Sequence, residues 1–329
     1  MDFTKLASLA SGHIEARIVQ TAVELHIFDA LGGPPQVSGA VARKLSLNPR
    51  ATDLLMNALA ALELLEKNGT QFSLAPVSRQ YLVRGSPEYL GGLILFDASL
   101  WNSWEKLSVA IRSGNPVRTP DMYQHDPAET EVFIQAMDSL VKARGDAEAI
   151  MEFIDFTKVT RLLDIGSGPA TYPIALCRTY PTLEATIFDL PGTLEITRRY
   201  VQEAGLTERI QLVLGDYRTD SIPGTYELIF LSNVIHGENE EKNAALFDRL
   251  FLNLTDGGRL VVKDHILDES RAEPRVGAIF SLLMLLTTDG GRCYSFNEIR
   301  SWMEHSGLAG VQLVDLPPPF TSSLVIGVK

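Results

Sequence analysis

Cysteine is scarce in this sequence, and no run of lysine and arginine occurs anywhere in it. Cys177 and Cys293 lie far apart and without the spacing of metal ligands, so we expect reduced thiols in a cytoplasmic protein and no metal site. Lysine plus arginine total 29 against 41 for aspartate plus glutamate, a formal net charge of −12. A surface this acidic repels phosphate backbones and anionic lipids, so neither nucleic acid nor membrane is an expected partner.

Long hydrophobic runs are also missing. The longest apolar stretch, residues 278–286, contains Ser281 and is too short to span a bilayer. The first residues, Met1 to Lys5, lack the order of basic, apolar and small residues that marks a signal peptide. We therefore expect neither export nor membrane anchoring. The length of 329 residues predicts two domains of ordinary size.

The first hundred residues show a pattern of successive helices followed by a strand. Apolar residues recur at helical spacing between Leu6 and Leu31, and two more helices are predicted at 37–45 and at 50–67. Asn68-Gly69 is predicted to close the last helix, because these residues tolerate a left-handed backbone. Residues 70–74 alternate like a strand, which completes the outline of a winged-helix unit.

A winged helix suggests DNA binding, which requires basic and polar side chains on the recognition helix. Here the helix from Ala51 to Lys67 is apolar nearly all round and carries more acid than base. Such a helix must be buried, so a protein–protein surface is the preferred interpretation. Residues 1–100 are predicted to form the dimerisation domain of a homodimer.

From Val159 onward, strands and helices alternate, which predicts a doubly wound parallel sheet. Two longer helices, 89–112 and 130–156, are predicted before it. Strands are predicted at 161–165, 185–189, 210–214, 226–231 and 258–264. A late pair of strands, 311–316 and 323–328, has no helix between its members and should form an antiparallel edge.

A glycine-rich turn, residues 164–169, follows the first strand of this region and leads into a helix. Gly166 and Gly168 remove side chains where the backbone must pass close to a ligand. A dinucleotide fingerprint needs a third glycine where Thr171 stands, and no Gly-Lys-Ser/Thr follows for a phosphate-binding loop. The carboxylate of Asp164 at the mouth of the turn suits a cationic ligand better than a pyrophosphate.

Two more acids follow the next two strands. Asp189 ends the second strand, where an acidic residue accepts hydrogen bonds from ribose hydroxyls in this architecture. Asp216 follows the third strand and is placed to meet an adenine amino group. Each acid alone could simply cap a helix. Together with the glycines, the three carboxylates indicate a crevice that holds a cationic nucleoside.

These motifs, with Phe188-Asp189-Leu190-Pro191 and residues 256–259 (Asp-Gly-Gly-Arg), resemble the successive motifs of class I methyltransferases. The resemblance sharpens to the O-methyltransferase family that includes caffeate, isoflavone, acetylserotonin, polyketide and phenazine enzymes, and it covers nearly the whole chain. It implies a winged-helix dimerisation domain at 1–100, a helical connector at 101–157 that contributes to the acceptor pocket, and a Rossmann-like catalytic domain at 158–329. That domain should hold a seven-stranded sheet with an antiparallel last strand. The implied cofactor is S-adenosyl-L-methionine, bound by Asp164, Gly166, Gly168, Asp189, Leu190, Asp216, Tyr217 and Ser232.

Methyl transfer to a hydroxyl requires alignment of the oxygen and removal of its proton, and an imidazole is a suitable base. His236 follows the fourth strand and matches the family's catalytic histidine, while Asp264, at the end of the fifth strand, matches the carboxylate that orients it. Where the family usually has His-Asp-Trp, this sequence has His236-Gly237-Glu238. Cys293 stands where plant members have a second acid. Asp264 could instead be a strand-end residue facing water.

The resemblance also implies residues for the methyl acceptor, a small, aromatic or polyketide-like secondary metabolite. The predicted acceptor residues are Phe133, Met137, Met284, Asn233 and Trp101. Aromatic and methionine side chains at helical spacing are also common in cores, and Trp101 could pack a domain junction or form a lid. The departures at Gly237-Glu238 and Cys293 keep an alternative open: C-methylation, or a divergent relative with non-methylating chemistry such as hydroxylation.

Overall fold

The computed structural model describes residues 1–329, which divide into two compact units. The first unit comprises Met1–Trp101 and Gln135–Ala143, and the second comprises Asn102–Ile134 and Arg144–Lys329. None of the helices combines the length and the apolar character that crossing a membrane requires.

Helices around a small antiparallel sheet build the first unit. The helices are α1 (Phe3–Glu24), α2 (Ile27–Ala30), α3 (Ser38–Leu45), α4 (Pro49–Ala61), α5 (Pro76–Tyr81) and α6 (Gly91–Ser99), and the strands are β1 (Gln36–Val37), β2 (Leu65–Asn68) and β3 (Gln71–Leu74). The strands lie in the order β1-β3-β2. One apolar core, which includes Phe28, Met56 and Phe72, joins the helices to the hairpin. The predicted succession of helices and a strand wing is confirmed.

The predicted helix at 50–67 is wrong in its last turns, because α4 ends at Ala61. Glu63 has a positive φ of 59°, which no helix interior accommodates. Leu65 begins β2 and pairs with Leu74 of β3, so burial of these two leucines against each other overrides the helical pattern. Asn68-Gly69 therefore starts the turn between β2 and β3 and does not cap a helix, with Gly69 at φ 59°.

A seven-stranded sheet forms the centre of the second unit. Its strands are β4 (Arg161–Ile165), β5 (Glu184–Asp189), β6 (Ile210–Leu214), β7 (Tyr226–Ser232), β8 (Leu254–Asp264), β9 (Ala309–Asp315) and β10 (Ser323–Val328). They lie in the order β6-β5-β4-β7-β8-β10-β9. The first five run parallel, whereas β10 is antiparallel to both β8 and β9. The predicted sheet, with its antiparallel pair at the edge, is confirmed.

The remaining helices are α7 (Trp101–Trp104), α8 (Leu107–Ser113), α9 (Pro127–Arg144), α10 (Asp146–Phe153), α11 (Thr171–Thr179), α12 (Pro191–Glu203), α13 (Glu240–Leu252), α14 (Arg275–Thr287) and α15 (Phe296–Ser306), with a 3-10 helix at Ile235–Gly237. Both long helices predicted before the sheet are interrupted. In place of 89–112 stand α6, α7 and α8, and α6 ends where the Ser99 hydroxyl donates to the carbonyl of Phe96 at 2.7 Å. In place of 130–156 stand α9 and α10, separated by Gly145 at φ 69°.

The strand order reverses between β4 and β7, since β5 and β6 lie on one side of β4 and β7 and β8 lie on the other. In open parallel sheets, ligands bind in the crevice outside the carboxyl ends of the strands at such a reversal. The sheet therefore brings the residues that follow β4, β5, β6 and β7 to one place.

Candidate active site

A cleft lies at the carboxyl ends of the parallel strands. Its lining consists of Met122, Phe133, Ile134, Gly166, Gly168, Asp189, Leu190, Thr193, Gly215, Tyr217, Asn233 and Val234. Seven of these residues are predicted site residues: Phe133, Gly166, Gly168, Asp189, Leu190, Tyr217 and Asn233. Apolar walls and a few polar groups make the cleft suitable for a nucleoside-sized ligand.

The turn after β4 passes close to the cleft because its glycines lack side chains. Gly166 and Gly168 have φ values of 64° and 60°, in the left-handed region that favours glycine. A Cβ at Gly166 would lie 3.1 Å from the Val234 side chain, on the far wall of the cleft. The Gly168 amide donates to Oδ2 of Asp189 at 2.9 Å, which ties the turn to the end of β5.

Asp189 ends β5 as a buried carboxyl group that is held by backbone amides. Its second oxygen accepts from the amide of Leu190 at 2.7 Å. Burial raises the pKa of Asp189 to about 6, although hydrogen bonds from the amides of Gly168 and Leu190 act in the opposite direction. The carboxyl group is thus fixed in orientation at the edge of the cleft.

Asp164 lies one layer deeper, at 1% exposure, and does not itself line the cleft. The Ser167 hydroxyl donates to its Oδ2 at 2.7 Å, whereas Oδ1 has no hydrogen-bond partner. Burial, and then the nearby charge of Asp189, raise the pKa of Asp164 to about 8. A buried carboxyl group with one unpartnered oxygen gains most from a cationic group placed beside it.

Only some of the predicted site residues after β6 and β7 line the cleft. Tyr217 lines it, but Asp216 does not, and both Asp216 oxygens accept from Arg218, at 2.7 Å for the terminal nitrogen. Burial acts to raise the pKa of Asp216, yet the hydrogen bonds and charge of Arg218 lower it overall. Ser232 ends β7 just before Asn233, which lines the cleft with a φ of 57°.

His236 and Asp264 come together at the ends of β7 and β8. His236 lies on the 3-10 helix, and its Nδ1 is 2.7 Å from Oδ1 of the buried Asp264. Since a carboxylate only accepts, Nδ1 carries the proton and Nε2 is left to receive one. The same oxygen accepts from the amide of His265 at 2.7 Å. Burial acts to raise the pKa of Asp264, but the neighbouring His236 and His265 lower it overall.

One neighbour of the imidazole was missed from the sequence. The Phe280 ring, on α14, lies edge-on to His236 at 4.8 Å between ring centres, and its helical pattern looked like that of any core residue. Met284, one turn later on α14, is buried. Cys293 is buried too, and burial, with the charge of Asp264, raises the pKa of its thiol to about 12, so it remains a neutral thiol there.

The other predicted acceptor residues lie on α9 and α7. Phe133 lines the cleft, and its ring stacks on Tyr123 at 4.5 Å between centres. Met137 and Trp101 belong to the first unit, where the Trp101 indole donates to the Gln20 side chain at 2.6 Å.

A buried ionic cluster behind the strand ends was also missed. Lys263 and Asp146 are both fully buried, with 2.9 Å between Nζ and Oδ2, and Arg144 donates to both oxygens of Asp146. The Lys263 carbonyl accepts from the Asn233 amide at 2.7 Å, which connects this cluster to the cleft. No sequence motif predicts such a cluster, because its members come from separate parts of the chain. The structure holds no group of three or more His, Cys, Asp or Glu side chains arranged for a metal ion.

Comparison with known proteins identifies the family to which this chain belongs. Residues 114–309 match the model of the O-methyltransferase domain, and residues 7–84 match the O-methyltransferase dimerisation domain. The chain belongs to the O-methyltransferase family. It is 30% identical over 321 residues to the tetracenomycin polyketide synthesis 8-O-methyl transferase TcmO of Streptomyces glaucescens, covering 95% of this chain and 93% of the relative.

Two further relatives extend the likeness over the full length. The 3-hydroxy-5-methyl-1-naphthoate 3-O-methyltransferase of Streptomyces sahachiroi is 28% identical over 331 residues, which cover 99% of this chain and 95% of the relative. The solved structure of PigF with SAH matches with a TM-score of 0.90 at 25% identity and covers 100% of both chains. The resemblance seen in the motifs is confirmed, and these relatives do not favour the C-methylating or hydroxylating alternative.

The protein is therefore a methyltransferase that uses S-adenosyl-L-methionine. The residues at the cleft also suit this cofactor, independently of the comparisons. The unpartnered oxygen of Asp164 suits a cationic amino group, and the fixed carboxyl of Asp189 suits ribose hydroxyls. The glycines at 166 and 168 leave the room that a close-lying ligand needs.

Proposed function

We propose that this O-methyltransferase methylates a hydroxyl group of a small, planar aromatic or polyketide-like metabolite, with His236 as the general base. The observation that carries this proposal is the 2.7 Å contact between His236 Nδ1 and Asp264 Oδ1. A buried carboxylate in this position fixes the tautomer and the orientation of the ring, and it stabilises the imidazolium that forms when Nε2 takes a proton.

S-adenosyl-L-methionine supplies an electrophilic methyl group on a sulfonium. The protein's part is to align and deprotonate the acceptor oxygen. With Nδ1 directed to Asp264, Nε2 of His236 is the atom that would receive the proton of the acceptor hydroxyl. Phe280 packs edge-on against the imidazole and so restricts rotation of the ring.

Eight residues are proposed to hold the cofactor: Asp164, Gly166, Gly168, Asp189, Leu190, Asp216, Tyr217 and Ser232. Asp164 is assigned to the amino group and Asp189 to the ribose. Asp216 could serve the adenine only after it leaves Arg218, since that guanidinium occupies both of its oxygens. Tyr217, which lines the cleft, offers a flat apolar surface for a base.

The acceptor class rests on the cleft's apolar walls and on the relatives. Phe133, Asn233, Met137, Met284 and Trp101 are proposed as acceptor contacts. The two Streptomyces relatives are named for a hydroxynaphthoate and for a polyketide, so a fused-ring phenol is the first acceptor to test. A flat ring fits between an aromatic side chain and a thioether.

Homodimer formation through residues 1–100 is proposed from the exposed face of α1. Phe3, Leu6, Leu9 and Ile14 are large apolar side chains with 49% to 84% of their surface exposed. Such a row marks an interaction surface, and the matched dimerisation domain favours a second copy of the chain as its occupant. We also propose a cytoplasmic location for the protein. The proposed domain bounds are 1–100, 101–157 and 158–329.

A direct test incubates the protein with S-adenosyl-L-methionine and a panel of hydroxynaphthoates and polyketide phenols. The expected result is a methyl ether, formed with one equivalent of S-adenosylhomocysteine. The same acceptors with the hydroxyl already methylated serve as the control and should not react. Methylation at ring carbon, or no product from any phenol despite cofactor binding, would contradict the proposal.

A further inference from the structure

Glu238 follows the 3-10 helix that carries His236, and its side chain contacts a residue that lines the cofactor cleft. It follows His236 by two positions, in the place where the family's usual motif has tryptophan. Its side chain is 5% exposed, and Oε1 accepts from the Tyr217 hydroxyl at 3.1 Å. Tyr217 in turn lines the cleft. A single hydrogen bond thus joins the wall of the cofactor cleft to the turn that carries the base.

The backbone of Glu238 is held as firmly as its side chain. Its carbonyl accepts from the Tyr294 hydroxyl at 2.5 Å and from the Asn243 side chain at 3.3 Å. Asn243 also donates to the carbonyl of Ile235, at the start of the 3-10 helix, at 2.9 Å. The turn is therefore clamped on both sides of His236, and the carboxylate of Glu238 leaves it in a fixed direction.

The charge of Glu238 is only partly compensated. Lys242 Nζ lies 3.4 Å from Oε2 and is half exposed. Tyr217 is the buried partner, and burial and the nearby Glu238 raise the pKa of Tyr217 well above its ordinary value, so its phenol stays a donor. Burial of this carboxylate costs free energy, which the hydrogen bond from Tyr217 offsets in part.

We propose that Glu238 is a positioning residue that fixes the Tyr217 phenol at the wall of the cleft where the cofactor binds. This inference rests on the proposed cofactor site. Without the hydrogen bond, the buried Tyr217 hydroxyl loses its partner, and fixing the phenol in place on binding costs part of the binding free energy. The link accounts for a buried acid at a position where the family's usual motif has none.

Calorimetry with S-adenosylhomocysteine tests this link on the full-length protein. Tyr217→Phe removes only the hydroxyl, Glu238→Leu removes the acceptor, and Glu238→Gln keeps an acceptor oxygen. Tyr217→Phe and Glu238→Leu should each weaken binding by about fivefold to tenfold, which corresponds to the net worth of one ordinary intramolecular hydrogen bond. The double variant should be no weaker than Glu238→Leu, and Glu238→Gln should retain most of the affinity.

Steady-state kinetics separates positioning from general loss of structure. The KM for the cofactor should rise in both single variants while the KM for the acceptor stays constant. Glu241→Gln is the matched control, because Glu241 lies on the same segment and is exposed. Should Glu238→Leu fail to fold, Tyr217→Phe still decides the outcome.

Two results would overturn the link: wild-type affinity in Tyr217→Phe, or a loss in Glu238→Gln equal to that in Glu238→Leu. The first would leave the hydrogen bond without a role, and the second would assign Glu238 to its charge pairing with Lys242. If the wild-type protein itself binds no S-adenosylhomocysteine, the proposed cofactor site fails and the inference falls with it.

Discussion

Cofactor affinity should depend steeply on pH, because the carboxyl group of Asp164 is buried and its Oδ1 lacks a hydrogen-bond partner. Burial raises the pKa of Asp164 from 3.8 to about 8, so the ligand-free protein holds this group mostly protonated at neutral pH. A cationic amino group beside Oδ1 favours the ionised form instead. Binding of the cofactor should then release the Asp164 proton.

The size of the effect follows from the titration. Below pH 8 the ionised fraction falls about tenfold per pH unit, and apparent affinity falls with it if only the carboxylate binds. Between about pH 6 and pH 7.5, the association constant for S-adenosylhomocysteine should rise about twentyfold. Asp189, with a pKa of about 6, adds to the dependence only at the acid end of this window.

Calorimetry in two buffers of different ionisation enthalpy measures both the affinity and the protons released. Close to one proton per ligand should leave near neutrality, and Asp164→Asn should abolish both the release and the steep pH dependence. A flat affinity across the window, with no proton released by the wild-type protein, would refute the assignment of Asp164 to the cofactor's amino group.

The pH dependence of the stability of the ligand-free protein tests the raised pKa of Asp164 independently of ligand binding. The folded state binds the Asp164 proton more tightly than the unfolded state, whose carboxyl pKa is near 3.8. Between these two values the folded state holds more protons, so this group's contribution to the free energy of unfolding falls as pH rises from about 4 to about 8. Thermal unfolding of wild type and Asp164→Asn should therefore differ in pH dependence in this direction.

Three further outcomes are expected. His236→Ala should lower kcat by about 10²–10⁴-fold, the usual worth of a general base, while S-adenosylhomocysteine affinity stays the same; Asp264→Asn should lower kcat by a smaller factor with equal affinity. Unchanged turnover in either variant, measured in single-turnover assays, would exclude the pair. Gly215→Ala places a Cβ 2.1 Å from the Phe188 ring, so urea titration should show about 1–3 kcal/mol of destabilisation, and wild-type stability would mean the ring moves freely. Leu9→Arg, on the exposed face of α1, should convert dimers to monomers in light scattering, whereas a persistent dimer would place the interface elsewhere.

The parallel sheet could be predicted closely from the sequence because each strand carries its own signal. The parallel strands at 161–165 and 210–214 have the predicted bounds, and so does the antiparallel strand at 323–328. A buried parallel strand needs a continuous apolar run, and that run is local. The first unit was harder, because residues 62–67 continue the apolar pattern of α4, and only the pairing with β3, which begins at Leu65 with Leu74, makes Leu65–Asn68 a strand.

The glycine turn and the acid after each strand are local features too, and they converge because parallel strands end at one edge of the sheet. The state of each acid is not local. Asp164, Asp189 and Asp216 all lie at or just beyond the carboxyl ends of strands, yet burial raises the pKa of the first two, whereas Arg218 lowers that of the third. Sequence spacing places a carboxyl group, but its desolvation depends on the whole packed unit.

Hydrogen bonds between side chains that are distant in the sequence are the hardest feature of the site to predict. His236 and Asp264 are 28 residues apart, and Tyr217 and Glu238 are 21 residues apart, yet each pair is joined by one hydrogen bond. The first pair could be predicted because family motifs mark both members. The second could not, because Glu238 departs from the motif and an isolated glutamate in a sequence looks exposed. A departure from a family motif is therefore where the structure adds most, since the replaced side chain must find a partner of its own.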